Sequence, residues 1–310
     1  MTKILTTGGS GFVGTSLLRA LEGHDLVVLG RCKPRVSLLP FYRFEFNDHS
    51  QCEGALQDVD IVIHCAARVH VMDDSSPDPL AAFREVNTFG TLNLARQAAA
   101  AGVKRFILLS SIKVNGESTL NGKPFKYDDA PKPEDAYGIS KAEAEAGLKQ
   151  IAADTGMEVV IIRPPLVYGP GVKANFAAMM KLAQKNLPLP LGAIHNKRSL
   201  VALDNLVDLI VTCIDHPNAA NQTFLVSDDQ DISTTELLKL MTRAAGKKPW
   251  LVPVPMGWLK LAGKLTGKQA VIDRLCGNLQ VDISHTKQTL GWKPPLTVEE
   301  GIARSFAAKG

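Results

Sequence analysis

Three glycines, Gly8, Gly11 and Gly14, constrain the fold of this chain more than any other feature. Residues 3–6 before them can form a first β-strand, and residues 15–21 after them have helical spacing. Glycines at this spacing let the backbone turn tightly, approach a pyrophosphate and pack the helix on the strand. Because a helix N-terminus also attracts phosphates, the segment predicts a βα unit that binds a dinucleotide; the alternative is a glycine-rich turn without a ligand. The residues expected to contact the dinucleotide are Gly8, Ser10, Gly11, Phe12, Val13 and Gly14.

Apolar runs alternate with helical patterns over the first half of the chain. Strands are expected at 3–6, 25–29, 43–46, 60–64, 105–109 and 158–162, and long helices at 83–101 and 137–153. This alternation is typical of an α/β protein with a Rossmann-type, doubly wound parallel sheet. We predict a dinucleotide-binding domain at 1–170, completed by about 198–228, where a helix (204–215) and a strand (222–226) return to the sheet. A smaller, mostly C-terminal α/β domain is expected at 171–197 and 229–310.

Composition excludes several other classes of protein. The chain has 310 residues, is 45% hydrophobic and carries a net charge of +4 without any basic run, so nucleic-acid binding is not expected. A weak positive bias suits an anionic small substrate. The five cysteines lack metal-ligand spacing and fit reduced thiols, so no metal is expected. With no secretory segment and no apolar run of the ~20 residues that a membrane span needs, we expect a cytoplasmic protein.

The segment after the second expected strand bears on the choice of cofactor. In folds of this type an acidic residue there binds the adenosine 2′-hydroxyl of NAD, whereas an arginine accommodates the 2′-phosphate of NADP. Here the strand is followed by Gly30 and then by the cations Arg31, Lys33 and Arg35. The sequence therefore predicts that NADP(H) is preferred and NAD(H) is possible, with Arg31 as the main contact; a solvated basic loop is the alternative.

Further candidate cofactor contacts follow other strands, because ligands of such sheets bind at the carboxyl ends of the strands. Small residues after the fourth strand would let a cofactor lie flat. His64, inside that apolar strand, is interpreted as a structural histidine, with a ligand or acid role as the alternative. The cofactor contacts expected at these strand ends are Asn47, Asp48, Cys65, Ala66, Ala67 and Pro164.

A tyrosine and a lysine four residues apart, Tyr137 and Lys141, lie on an expected helix and are therefore neighbours. A free tyrosine has a pKa of about 10, and a nearby cation favours the phenolate and lowers that pKa. Ser111, at the end of the fifth strand, can give a hydroxyl to the same substrate oxygen. Together with the glycine loop, this set predicts acid–base chemistry on an alcohol or ketone beside a nicotinamide.

With these motifs the whole chain resembles the extended short-chain dehydrogenase/reductase family, in the branch that acts on nucleotide-sugars. The resemblance rests on residues 7–14, 62–67, 87–91, 110–111, 137–141 and 163–171. It implies that Ser111, Tyr137 and Lys141 are the catalytic triad, with Tyr137 as acid/base and Lys141 also holding the nicotinamide ribose. Asn87 would support the site from the helix after the fourth strand, and Asn87, Tyr137 and Lys141 would also contact the cofactor.

The resemblance also implies a substrate site and partners. The substrate would be a UDP-sugar, and a homodimer would form through helices at about 84–101 and 137–153. An arginine in such a site pairs well with phosphate, although a surface ion pair is the alternative for each arginine. The substrate contacts expected from the resemblance are Ser111, Lys113, Tyr137, Asn175, Arg198 and Arg274.

Two departures from the family pattern narrow the expected reaction. The dehydratases carry an Asp-Glu pair where this chain has Ile112 and Lys113, and the 4-epimerases keep an acid where it has Gly30 and Arg31. We therefore expect an NADPH-dependent reductase of a UDP-4-keto-6-deoxy-(N-acetyl)hexosamine in surface-polysaccharide synthesis. The alternatives are a UDP-hexose or UDP-N-acetylhexosamine 4-epimerase with bound NAD and, more remotely, a non-catalytic NADP-sensing protein.

One later segment, residues 255–268, has an apolar stripe that includes Trp258, Leu261 and Leu265, and a second row of lysines. A helix packed in the core with a solvated basic face is the expected structure. Contact with an anionic membrane surface or a partner is the alternative.

Overall fold

A computed structural model describes residues 2–34, 39–69 and 77–307. Arg35, one of the cations expected near the cofactor, lies outside these residues. The strands are β1 (Lys3–Thr7), β2 (Asp25–Gly30), β3 (Phe41–Arg43), β4 (Ile61–His64), β5 (Arg105–Leu109), β6 (Glu158–Arg163), β7 (Leu166–Tyr168), β8 (Leu200–Ala202) and β9 (Thr223–Leu225). The helices are α1 (Phe12–Ala20), α2 (Glu53–Leu56), α3 (Pro79–Phe83), α4 (Gly90–Ala100), α5 (Ala136–Thr155), α6 (Ala174–Lys185), α7 (Leu203–Asp215), α8 (Thr234–Ala244), α9 (Met256–Leu265), α10 (Gln269–Cys276), α11 (Ser284–Leu290) and α12 (Val298–Ala307).

Seven parallel strands form the central sheet in the order β3-β2-β1-β4-β5-β6-β9. The chain moves outward from β1 in one direction and then, from β4, in the other, so the order reverses between β1 and β4. This confirms the predicted doubly wound, Rossmann-type fold. Strand β9 pairs with β6, so the late strand does return to this sheet. The division of the chain into two domains stays a prediction.

Alternation along the strands builds a core on each side of the sheet. Ile4 packs on one side and Leu5 on the other, because successive side chains of a strand point to opposite faces. The first side is covered by α1 and α7, and the second by α4 and α5. Both faces of each central strand are therefore apolar, as expected of a parallel sheet that is buried on both sides.

A third apolar cluster lies outside the main sheet. It joins β7 and β8, which pair with each other in parallel, to α6, α8 and α12. At its centre Tyr168 donates a hydrogen bond to Asp228, whose other oxygen accepts from Asn205 and the backbone of Ala202. This cluster fixes the polypeptide that follows β6, and neither β7, β8 nor α6 was predicted from the sequence.

Two predicted elements differ in the structure. The third strand is Phe41–Arg43, not 43–46. The backbone N–H of Phe44 still donates to Gly30 of β2, and beyond that bond Phe44 and Phe46 pack into the core with ring centroids 5.1 Å apart. The predicted helix at 83–101 is three successive segments, with a π-helix at Arg84–Phe89 between α3 and α4. Such π segments are frequent at functional sites.

The expectation that the apolar stripe of α9 is packed in the core is wrong. Leu259 and Gly263 are the buried residues of this helix, and a Cβ on Gly263 would lie 2.8 Å from Ile272 of α10. The helix therefore packs through a narrow seam, and Trp258, Leu261 and Leu265 stay exposed. No helix in the described ranges is long and apolar enough to span a bilayer.

His64 is a structural residue in the core, as interpreted from the sequence. Its ring is fully buried at the end of β4, where Nδ1 lies 2.8 Å from Thr7 Oγ1 and Nε2 lies 2.9 Å from Thr91 Oγ1. Burial lowers the pKa of His64 to about 3, and the nearby Lys141 acts in the same direction. The imidazole is therefore neutral at physiological pH and joins β1, β4 and α4.

This depressed pKa predicts acid sensitivity of the fold. The unfolded chain takes up a proton near pH 6.5, whereas the folded chain does so only near pH 3, so stability is lost as pH falls through this range. His64→Gln should be less stable than wild type at pH 8 but should lose less stability on acidification, by up to about 1.4 kcal/mol per pH unit. Urea unfolding across this range measures the difference. Parallel pH profiles for the two proteins would contradict the assignment.

Candidate active site

A cavity of about 470 Å³ opens at the carboxyl ends of the strands around the reversal point. This is where sheets of this kind bind their ligands. The sequence-predicted residues that line the cavity are Gly8, Ser10, Gly11, Phe12, Val13, Gly14, Arg31, Cys65, Ala66, Ala67, Ser111, Tyr137 and Pro164. The glycine loop, the small residues after β4, Ser111 and Tyr137 therefore meet at one site.

The glycine loop has the shape of a pyrophosphate cradle. A Cβ on Gly8, whose φ is +73°, would lie 2.7 Å from the backbone nitrogen of Ala66, and a Cβ on Gly14 would overlap the carbonyl oxygen of Gly8. The N-cap of α1 is Gly11, with no side-chain cap and no acidic residue in the first turn. The N–H groups at this helix end are thus left for an anion, and the residues fit a dinucleotide.

Tyr137 is positioned by the start of α5. The carboxylate of Asp135 caps this helix by accepting from the backbone N–H of Gly138 at 2.7 Å. Burial raises the pKa of Tyr137 to about 12, and its hydrogen bond with Ser111 acts against that rise. We expected Lys141 to lower this pKa; instead desolvation dominates. The phenol is consequently held protonated at neutral pH.

Lys141 lies one turn further along α5, directly behind the cavity. Its side chain is buried, and Nζ donates to the carbonyl oxygen of Leu109 at 2.8 Å, at the end of β5. Burial lowers the pKa of Lys141 to about 8, although Glu145 and Cys65 act to raise it. The ammonium is thereby fixed beside the strand end that carries Ser111.

A buried ion pair continues this row of residues. Glu145, one turn beyond Lys141, pairs with Arg163 at the end of β6, and both side chains are almost completely buried. The carboxylate also accepts from Ser110 Oγ at 2.5 Å, and Arg163 Nη1 donates to Asn115 Oδ1 at 3.0 Å. The pair ties α5 to the ends of β5 and β6. The signal for it in the sequence is the spacing of four residues from Tyr137 to Lys141 and again to Glu145, which places the three side chains on one face of the helix.

Asn87 supports the site from the π-helix. It is fully buried, and its amide accepts from the backbone N–H of Arg68 at 2.8 Å and donates to Ser140 Oγ at 3.0 Å. It thereby holds the loop after β4 against α5. Asn87 does not line the cavity, so the cofactor contact expected of it stays a prediction.

Four other predicted contacts lie outside the cavity lining. Asn47 uses its side-chain oxygen to accept from the backbone of residues 49 and 50, and Asp48 pairs with His49 on the surface. Lys113 is held between Glu117 and Asp135, at 2.8 and 2.5 Å. Asn175 is exposed at the start of α6. The polar atoms of Asn47, Asp48 and Lys113 are therefore already paired within the protein, in a turn or in ion pairs.

Several cavity residues were missed in the sequence, namely Phe46, Val69, Val86, Leu109, Pro165 and Val167. They are apolar, and nothing in a single sequence distinguishes an apolar residue in a cavity wall from one in the core. Val86 comes from the π-helix, which the helical periodicity did not reveal.

Two arginines meet at a different point of the surface. Arg198 Nη1 donates to the carbonyl oxygen of Arg274 at 3.0 Å, and neither guanidinium has a carboxylate partner within the residues that the structure describes. Burial lowers the pKa of Arg198, and the charge of Arg274 adds to this effect. Arg198 lies two residues before β8, whose partner β7 directly follows the cavity residues Pro164 and Pro165.

The chain matches the model of the NAD dependent epimerase/dehydratase family over residues 4–227. It is 56% identical to a UDP-glucose 4-epimerase of Vibrio cholerae, over 99% of this chain and 95% of that protein. It is 27% identical to an N-acetyl-α-D-glucosaminyl-diphospho-undecaprenol 4-epimerase of Escherichia coli O157:H7, over 98% of this chain and 94% of that one. The crystal structure of a Thermotoga maritima UDP-glucose 4-epimerase with UDP-glucose has the same fold, with a TM-score of 0.78 at 23% identity, covering 99% and 98% of the two chains.

Fold, cavity and comparisons together define an enzyme that works with a nicotinamide dinucleotide. The chain belongs to the NAD-dependent epimerase/dehydratase family, in the extended branch of the short-chain dehydrogenases/reductases.

The buried pair predicts a clear difference between two glutamates of α5. Glu145→Gln leaves Arg163 buried without a counter-charge and should destabilise the fold by about 3–5 kcal/mol. Glu143→Gln, which breaks a half-exposed pair with Arg84, should cost much less, because solvent screens that pair. Urea denaturation of both variants provides the comparison. An equal loss of unfolding free energy in the two variants would show that the buried pair stabilises the fold no more than the half-exposed pair does.

Proposed function

We propose that this protein is a 4-epimerase of a UDP-linked hexose that inverts the configuration at C4 with a bound nicotinamide dinucleotide. The observation that carries this proposal is the 56% identity to a UDP-glucose 4-epimerase over almost the whole of both chains. The cavity supports it, because it is lined by the phenol of Tyr137 and by Ser111, which is hydrogen-bonded to that phenol, beside the glycine cradle. Our expectation from the sequence, a 4-keto reductase, has less support.

The roles of the residues follow from their positions. When bound, the dinucleotide supplies a hydride acceptor and, once reduced, a hydride donor at the sugar C4. To act as a base, Tyr137 would react as the phenolate, which Lys141 and the positive charge of an oxidised nicotinamide would favour over the buried phenol. In that form it takes the proton of the C4 hydroxyl and gives it back to the resulting ketone oxygen. Ser111 holds that oxygen by a hydrogen bond. Lys141, fixed by the carbonyl of Leu109, supplies positive charge that favours the phenolate during proton transfer.

The second part of the proposal concerns the nucleotide end of the substrate. We assign the diphosphate to Arg198 and Arg274, two neighbouring cations without a carboxylate partner in the described parts of the chain. An anion between them would relieve their repulsion, and the fork of a guanidinium matches phosphate oxygens. The segments 171–197 and 229–310 would then form the substrate domain.

One observation favours the second candidate, an NADPH-dependent 4-keto reductase. Gly30 and Arg31 line the cavity at the end of β2, where a carboxylate selective for NAD would be expected. Arg31 is exposed and can approach a 2′-phosphate. Arg31→Ala should therefore weaken NADP(H) by roughly 10- to 150-fold and leave NAD(H) unchanged. Fluorescence titration with both cofactors measures this. An unchanged NADP(H) affinity would show that Arg31 belongs to a solvated basic loop and does not bind the 2′-phosphate.

The two candidates are separated by their need for cofactor. The purified protein is incubated with UDP-glucose, and separately with a UDP-4-keto-6-deoxyhexosamine, with and without added NADPH, and products are followed by NMR. An epimerase forms the C4 epimer with no net consumption of cofactor. Stoichiometric oxidation of NADPH by the keto sugar, with no epimerisation of UDP-glucose, would replace the epimerase by the reductase.

Tyr137→Phe tests the proton transfer. Removing the hydroxyl should lower kcat by roughly 100- to 10,000-fold while the fold and dinucleotide binding stay intact. Tyr127→Phe, at another partly exposed tyrosine, is the matched control and should keep full activity. Steady-state kinetics and calorimetric cofactor binding measure both effects. If Tyr137→Phe keeps more than about a tenth of the wild-type rate, Tyr137 is not the acid/base of the reaction.

Arg198→Ala tests the diphosphate site. The loss of a charge-assisted contact should weaken UDP binding by about 1.5–3 kcal/mol, with dinucleotide affinity unchanged. The control is Arg304→Ala, which removes an exposed ion pair with Asp204 and should leave UDP binding unaltered. Calorimetry with UDP gives both values. Equal UDP affinity in Arg198→Ala and wild type would place the nucleotide elsewhere.

A further inference from the structure

We propose that the exposed face of α9 docks this protein on the surface of an anionic lipid bilayer. Three large apolar side chains lie on that face: Trp258 is 67% exposed, Leu261 49% and Leu265 79%. Their spacing of three and four residues places them in one stripe along the helix. Because α9 packs on α10 through Leu259 and Gly263 instead, the protein's own core leaves this stripe uncovered.

A row of lysines borders the stripe. Lys260 and Lys264 are one turn apart and exposed, and Lys264 neighbours Leu261 three residues before it. The helix contains no acidic residue. Apolar side chains beside a basic row form the arrangement by which interfacial helices bind anionic lipids, since the stripe enters the headgroup region and the ammonium groups reach the phosphates.

The sequence around α9 is positively charged, like the lysine row of the helix itself. Residues 237–272 contain seven lysines and arginines and no carboxylate, although the whole chain has a net charge of only +4. The remainder of the chain is therefore net negative. The stretch ends at Glu236 on one side and at Asp273 on the other. Its cations on α9 complement an anionic bilayer, where each basic residue near the surface contributes about fivefold to binding.

Two of the three tryptophans of the chain are exposed within this basic stretch. Trp250 and Trp258 both belong to this basic stretch and are 59% and 67% exposed, whereas the third tryptophan of the chain, Trp292, is 5% exposed. An amphipathic indole is stabilised at the boundary between water and lipid. A contact with a second copy of the chain is less suited to this surface, because the central parts of protein interfaces are depleted in lysine.

Vesicle co-sedimentation tests the proposal with the full chain. Wild type should bind vesicles of equal parts phosphatidylcholine and phosphatidylglycerol at low salt, bind pure phosphatidylcholine more weakly, and dissociate as salt rises. The emission of Trp258 should shift to shorter wavelength on binding. Failure to sediment with the anionic vesicles at low salt would overturn the proposal.

Substitutions in α9 test whether this helix is the surface that binds the vesicles. Trp258→Ser and Leu265→Ser should each weaken vesicle binding by roughly tenfold, whereas Leu120→Ser, at a leucine 70% exposed elsewhere, should not change it. The double change Lys260→Gln and Lys264→Gln should abolish most of the preference for anionic lipid, with Lys149→Gln as control. Equal losses in the controls would overturn the assignment to α9.

A last measurement separates lipid from a second copy of the chain. Analytical ultracentrifugation without vesicles should give the same mass for wild type and for Trp258→Ser. If wild type is a dimer and this variant a monomer, the face is an interface between copies and the membrane proposal is wrong. Thermal unfolding should be alike in all these variants, since the altered side chains are exposed.

Discussion

The close approach of the glycine turn to the end of β4 is the contact on which the site depends. Gly8 lies against the backbone of Ala66, and Gly14 lies against Gly8, so that no side chain fits at either position. The backbone N–H of Ala66 donates to Thr7 Oγ1, and that hydroxyl meets the neutral ring of His64. Because these groups are buried and paired, the anion-binding end of α1 and the floor of the cavity are held as one rigid unit.

The acid–base side of the cavity is held by a different kind of interaction. Lys141 and Glu145 project from successive turns of α5 toward the ends of β5 and β6, where they meet a carbonyl and the Arg163 guanidinium. Burying these charges is costly, and the cost is offset only while every partner is in place. The geometry of Ser111, Tyr137 and Lys141, which we propose to be the catalytic groups, is therefore coupled to the integrity of the sheet.

The fold and the cavity could largely be predicted from the sequence, because strand periodicity and glycine spacing are local signals. Boundaries were missed where tertiary packing decides, as at Phe44 and Phe46, and the π-helix has no period of its own. The exposed stripe of α9 was misjudged because a helical pattern shows which residues share a face but not which face is buried. Asn175 is exposed at the start of α6, and no local pattern in the sequence shows whether such a residue contacts a substrate.

A 4-epimerase requires the C4 carbon of the sugar to give up a hydride and to receive the same hydride back on its opposite face, while the keto sugar and the dinucleotide both stay bound. A UDP-hexose deuterated at C4, incubated with the purified enzyme and an excess of unlabelled reduced and oxidised cofactor, tests it most directly. The account predicts that the C4 epimer keeps its deuterium, with none in solvent or in the added cofactor. Loss of deuterium to either pool during turnover would contradict it.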